Sequence, residues 1–211
     1  MKKLLTLGML FVLTVSFGQK LFIVKSDKKF GLINDSGLEV IAPKFNSIEE
    51  FDKVHDNWAK VQMGLLYGFV DKSGKTVVEP IYESIGAFDT NNSGWASIKK
   101  DGKLGFINKE GKEIVAPIYD SFGKFGDYTK DWILAESKGL KGFINKDGSV
   151  IVPVKYLEVE KFDSLRKDWA LVKIKNEKLG FIDKTGKEII PVVYDTIETF
   201  EKNKSVVADT E

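Results

Sequence analysis

Tryptophan and proline recur in this chain on a single period. Trp58, Trp95, Trp132 and Trp169 stand 37 residues apart, and Pro43, Pro80, Pro117, Pro153 and Pro191 follow one another at 37, 37, 36 and 38. One glycine recurs at Gly31, Gly68, Gly105, Gly142 and Gly180, and a second at Gly37, Gly74, Gly111, Gly148 and Gly186. Every Trp and every Pro lies on this lattice, which constrains the fold more than any bulk property. Units this short stack on their neighbours to bury a continuous core. The period divides the chain into five units at about 30–66, 67–103, 104–140, 141–178 and 179–211.

Each unit reads as a short series of strands. Gly68-Phe69-Val70-Asp71 and Gly105-Phe106-Ile107-Asn108 exemplify the first, and the turn that follows is Asn/Asp-x-x-Gly, as in Asn108-Lys109-Glu110-Gly111. Asn or Asp in first place accepts a hydrogen bond from the backbone two residues on. Gly in fourth place tolerates the left-handed conformation of a G1 bulge. A β-branched strand such as Thr76-Val77-Val78 then runs to the lattice Pro, which cannot donate to a central ladder and belongs at a strand end or bulge. The third segment spaces its apolar residues by three (Tyr82, Ile85, Phe88; Tyr119, Phe122, Phe125), which a flat strand would not do. A bulge or tight turn is expected there. Six polar or small residues lead to a last strand of the form Trp-Ala-x-Val/Ile.

No stretch sustains a helical period, so the fold expected is all-β: a tandem β-hairpin repeat array, open and solenoid-like. Leu21-Phe22-Ile23-Val24-Lys25 aligns with Trp95-Ala96-Ser97-Ile98-Lys99, so residues 19–29 supply a spare capping strand. The last unit still reaches Val206-Val207-Ala208, with Val207 in the place of Trp. No unit is short of a strand, which favours the open array over the alternative, a β-propeller-like closure. The period is also shorter than the roughly 40–45 residues of four-stranded propeller blades.

The N-terminus reads as a leader. Lys2 and Lys3 precede an apolar run, Leu4 to Phe17, and Ser16 and Gly18 place small residues at −3 and −1 to a cut before Gln19. Residues 1–18 are therefore expected to be a secretory signal peptide. The run is too short for a membrane span, and no Cys follows it for lipid attachment. The competing reading is a buried N-terminal strand or helix. Export implies a periplasmic or extracellular protein with no membrane span in the mature chain. Without Lys2 and Lys3, 30 basic side chains remain of 32, against 31 acidic ones. That balance lacks the footprint of a nucleic-acid binder. With no cysteine, stability rests on packing and hydrogen bonds.

The Gly-Phe-Val/Ile-Asn/Asp strands, the Asn/Asp-x-x-Gly turns, the Val/Ile-Pro strands and the Ala-x-Val closing strands together resemble the bacterial WG-repeat (KWG-repeat) family. The resemblance covers about Leu21 to Asp209. The residue before the first Gly, where the family has Trp, is here Phe30, Tyr67, Leu104, Lys141 or Leu179. The chain is thus a divergent variant. The resemblance implies a repeat architecture with binding or scaffold roles and carries over no catalytic residue.

Reactive chemistry has little material. His55 is the one histidine, and it lies in a polar loop, where a solvated side chain is the ordinary outcome. With no Cys, the usual zinc sites and His-assisted nucleophiles have no ligands or partners. Carboxylates are plentiful, so composition leaves a glycosidase pair open, but they recur in turns. The glycines lie in hairpins rather than at a strand-to-helix turn, so no phosphate loop is implied. No catalytic, cofactor or metal residue is expected, and no cofactor.

Charge suggests two stripes on different edges. Lysines gather at unit junctions (Lys25, Lys28 and Lys29; Lys99, Lys100 and Lys103; Lys138 and Lys141; Lys173, Lys175 and Lys178). Acids gather around the third segment (Glu49, Glu50 and Asp52; Glu83 and Asp89; Glu158, Glu160 and Asp163; Asp195 and Glu198). Such stripes either keep strand edges soluble or dock a charged envelope polymer or protein.

Strand alternation puts Ala59 with Val61, Ala96 with Ile98, and Ala170 with Val172 on a core face. It turns Trp58, Trp95, Trp132 and Trp169 to the other face, either as an exposed aromatic row for ligand binding or as a core ladder. The function expected is a non-catalytic exported scaffold that binds protein at the cell envelope. A glycan- or cell-wall-binding module is the alternative, with an envelope polysaccharide as partner. A hydrolase using surface carboxylates comes third.

Overall fold

The structure, a computed structural model, describes residues 20–198. The leader expected at 1–18, Phe200 and the strand expected at Val206-Val207-Ala208 lie outside the described residues. Nineteen strands form five antiparallel sheets, with no helix among the described residues. The first sheet holds β1 (Leu21–Ser26), β2 (Lys29–Asn34) and β3 (Glu39–Phe45). The second holds β4 (Ser47–Ile48), β5 (Trp58–Met63), β6 (Leu66–Asp71) and β7 (Thr76–Tyr82). The third holds β8 (Ser84–Phe88), β9 (Trp95–Lys100), β10 (Lys103–Asn108) and β11 (Glu113–Tyr119). The fourth holds β12 (Ser121–Phe122), β13 (Trp132–Ser137), β14 (Leu140–Asn145) and β15 (Val150–Tyr156). The fifth holds β16 (Glu158–Val159), β17 (Trp169–Lys173), β18 (Leu179–Asp183) and β19 (Glu188–Tyr194).

Every sheet is a meander whose strands pair in chain order. The sheets are offset from the sequence units: the Trp strand that ends one unit is hydrogen-bonded to the Gly strand that opens the next, as Trp58 opposite Asp71 shows. The spare strand β1 pairs with β2 in the same way. Substantial contacts between sheets join only sequence neighbours, so the described residues form an open row of sheets and no closed barrel.

The hairpin turns follow from their sequence. Asn108 Oδ1 accepts the N–H of Glu110 at 3.1 Å and of Lys112 at 2.9 Å, and the Gly111 N–H closes the turn on the Asn108 carbonyl at 2.9 Å. Gly111 has φ +78°, the left-handed region that a G1 bulge requires. The other lattice glycine works differently. A Cβ at Gly105 would lie 2.5 Å from the Val115 carbonyl oxygen and 2.7 Å from the Pro117 nitrogen. Opposite it the Pro strand bulges, since Leu104 pairs with Tyr119 but Phe106 with Val115. Pro sits inside this bulge, where no ladder N–H is needed. In the fourth and fifth units it has moved one residue toward the N-terminus, to Pro153 and Pro191.

The period of three in the third segment is a corner between sheets, with a bulge only part of the cause. Tyr82 ends the second sheet and Ser84 begins the third. The ladder then shifts between Ile85 and Phe88. Tyr82, Ile85 and Phe88 all enter one cluster, with Trp58, Phe69 and Val78 from the second sheet and Ala96, Ile98 and Ile107 from the third. The same design recurs at the third and fourth seams, where Trp95 and Trp132 lie on the face that packs on the next sheet. At the first seam Leu32, Ile41 and Phe45 pack on Ala59 and Val61, and the first sheet supplies no Trp.

Candidate functional site

Packing closes most of the tryptophans off from any ligand. Trp58, Trp95 and Trp132 are only 7, 5 and 6 % exposed. The ring of Trp95 lies 5.0 Å from Phe106 in its own sheet and 5.5 Å, edge to face, from Phe125. Both faces of these sheets are covered, so three of the four indoles form a core ladder and offer no stacking platform. Trp169, in the last sheet, is half-buried, with the Arg166 guanidinium 4.0 Å from its ring. His55 is likewise no freely solvated loop residue. It is half-buried, and its ring stacks 4.3 Å from Trp58.

The two charge stripes do not separate either, because β8 and its equivalents pair directly with the Trp strands. Ser84 lies opposite Lys99, which brings Lys99 to 3.6 Å from Glu83. Lys173 reaches Glu158 at 3.1 Å and Lys178 reaches Asp195 at 2.5 Å. At the other end of the second to fifth sheets the turn lysines hold the acids of the loop before Trp: Lys72–Asp52 at 2.6 Å, Lys109–Asp89 at 2.8 Å, Lys146–Asp131 at 2.8 Å and Lys184–Asp163 at 2.7 Å. Lys72, then the Asn57 N–H, keeps the Asp52 carboxyl below its ordinary range; Lys184 and the Asp168 N–H do the same for Asp163. Acid and base alternate as pairs along both rims.

One rim contact is built at the second and fourth seams and is missing at the first and third. The Tyr82 hydroxyl donates across the second seam to Glu113 at 2.6 Å. The Tyr156 hydroxyl donates across the fourth to Glu188 at 2.9 Å, and Lys155 joins the same oxygen at 2.6 Å. At the first seam Phe45 has no hydroxyl and Thr76 supplies no carboxylate. At the third seam Tyr119 keeps its hydroxyl, but the matching position of β15 is Val150. No hydrogen bond to that hydroxyl exists among the described residues, where no fully enclosed side-chain polar atom lacks a partner. The hydroxyl therefore still reaches solvent. It does so beside a cavity of about 430 Å³ that Tyr119, Val150, Ile118, Leu140, Lys138 and Lys175 help to line. Sequence reasoning passed over this group. The available signal was the interruption of Glu113 and Glu188 by Val150 in a position facing a retained tyrosine.

No group of three or more His, Cys, Asp or Glu among the described residues converges to hold a metal ion. No helix among them is long and apolar enough to cross a membrane. The fold and its seams define a tandem-repeat, all-β scaffold. The family described as "WG containing repeat" matches residues 30–64, 67–103, 105–136, 142–178 and 180–208, and the chain belongs to that family. Opposite the half-buried residue that replaces the family's Trp stands the rim aromatic: Tyr67 faces Tyr82 and Leu104 faces Tyr119.

A comparison with curated proteins finds no match. Among solved structures the chain is similar to a eukaryotic initiation factor (14 % identity, TM-score 0.31, covering 81 % of this chain and 51 % of that one). It is also similar to AztD of Citrobacter koseri (15 %, 0.27, covering 84 % and 58 %) and to BamB of Moraxella catarrhalis (13 %, 0.28, covering 81 % and 59 %). The chain thus spans between half and three-fifths of those chains, at scores that support no conclusion about closure or partners.

Proposed function

We propose that the protein is an exported, non-catalytic scaffold that binds other proteins at the cell envelope. The observation that carries this reading is a repeated apolar position on exposed strand edges. The last strand of each sheet is an edge, and its penultimate residue is Lys44, Ile81, Ile118, Lys155 or Val193. Ile81, Ile118 and Val193 are all exposed there. Aliphatic side chains at the same position of three of the five edges suit a partner that lies across several units. Export rests on Lys2, Lys3 and the apolar run to Phe17. The glycan alternative drew on the tryptophans and loses force with three of them enclosed.

The test is capture of envelope proteins by the mature chain and by the Ile81→Lys/Val193→Lys variant. Lysine already occupies this position in two units, so the variant should fold. Retention of the captured protein by the variant would remove the edge reading. N-terminal sequencing of the mature chain should begin at Gln19, and an intact Met1 in the cytoplasm of the host would remove the export reading.

A further inference from the structure

We propose that the cavity between the third and fourth sheets binds a small amphipathic carboxylate, whose head group takes the place at Tyr119 that Glu113 and Glu188 hold at the neighbouring seams. The repeat supplies the recognition chemistry. At two seams the rim tyrosine donates to a carboxylate, and at one of these a lysine joins the same oxygen. At the third seam the donor remains and the internal acceptor is gone, replaced by Val150, which is 52 % exposed. Cations remain as well. Lys138 and Lys175 line the cavity, and neither makes an ion pair among the described residues. The adjacent acid Asp120 is already engaged by Lys103 and by the Lys138 backbone N–H at 2.6 Å.

The rest of the wall is apolar apart from Ser137, whose hydroxyl donates to the Ile118 carbonyl at 3.3 Å. Ile118, Leu140, Val150 and Val154 face a space of about 430 Å³, within the range of roughly 300–1,000 Å³ usual for small-molecule sites. Burial pushes the Tyr119 phenol up, so it stays protonated and acts as a donor. A charged acceptor suits it better than a neutral one, because hydrogen bonds to ionised groups are the stronger kind. An aliphatic or aryl body on the carboxylate would cover the exposed Ile118 and Val150. The site requires neither export nor a protein partner, so it stands or falls apart from the scaffold reading.

Titration of the mature protein with hexanoate, followed by calorimetry and by Tyr and Lys NMR signals, tests the proposal. Saturable one-to-one binding is expected, with hexanamide weaker by about tenfold or more. Val150→Glu restores the internal acceptor and should abolish hexanoate binding. Tyr119→Phe keeps the shape of the seam and should weaken binding by about tenfold or more, which decides the matter even if the new glutamate disturbs packing. The proposal is overturned if hexanoate shows no saturable binding, if hexanamide binds equally well, or if Tyr119→Phe binds as the parent does. Binding of an acidic peptide but no free acid would also overturn it.

Discussion

The second and third seams are built from the same interior and finished differently. Trp58 and Phe69 press on Ala96 and Ile98 in one, and Trp95 and Phe106 press on Ile133 and Ala135 in the other. At the rim the first is stapled by Tyr82 and Glu113, whereas the second leaves Tyr119 opposite Val150. A close-packed interior tolerates little change in volume, so the plugs repeat faithfully. The rim is wet and free to vary. Individuality in this chain therefore sits at the edges of the seams.

The comparison breaks most severely if the shared interior is removed. Trp95→Ala should cost about 3–5 kcal/mol, as for a buried aromatic, whereas Trp169→Ala, at a half-buried site, should cost clearly less. Urea unfolding of both variants measures the difference, and equal losses would contradict the ladder. A smaller effect is expected at Gly111, whose turn abuts Val77 and Val78 across the second seam. Gly111→Val should cost about 1–2 kcal/mol for the left-handed conformation alone, and an unchanged melting midpoint would refute the turn geometry. The smallest effect sharpens the contrast most. Tyr82→Phe strands the Glu113 acceptor and should cost about 1 kcal/mol, while Tyr119→Phe should leave the melting temperature unchanged.

Local chemistry was legible in the sequence. An Asn or Asp side chain that caps its own turn and a Gly that closes it act within five residues, so pattern alone identified those hairpins. The corner at Glu83 was harder, because the reason for the spacing of Tyr82, Ile85 and Phe88 is a seam built by two sheets. Alternation along β9 told which residues share a face with Trp95, but not that the next sheet covers that face. The charge stripes failed for a similar reason. Lys99 and Glu83 lie sixteen residues apart, and only the register of β8 on β9 brings them together. Val150 was visible as an odd residue, yet its meaning depends on a hydroxyl in a different sheet.

The offset between repeat and sheet bears on how such a chain can lengthen or shorten over evolution. Each period contributes strands to two sheets, and the four sheets that hold a Trp strand carry the same two complementary faces. A recombination event that removes one whole period, wherever its breakpoints fall, rejoins strands of matching type and leaves a shorter stack with its faces in phase. An insertion or loss of any other length mismatches a corner and disrupts two sheets at once. Gene copies should therefore differ in steps of the period. The rim contacts alone register which neighbours were joined. Excision of residues 120–156 would set Tyr119 against Glu188, and the vacant hydroxyl would regain a partner from within the chain.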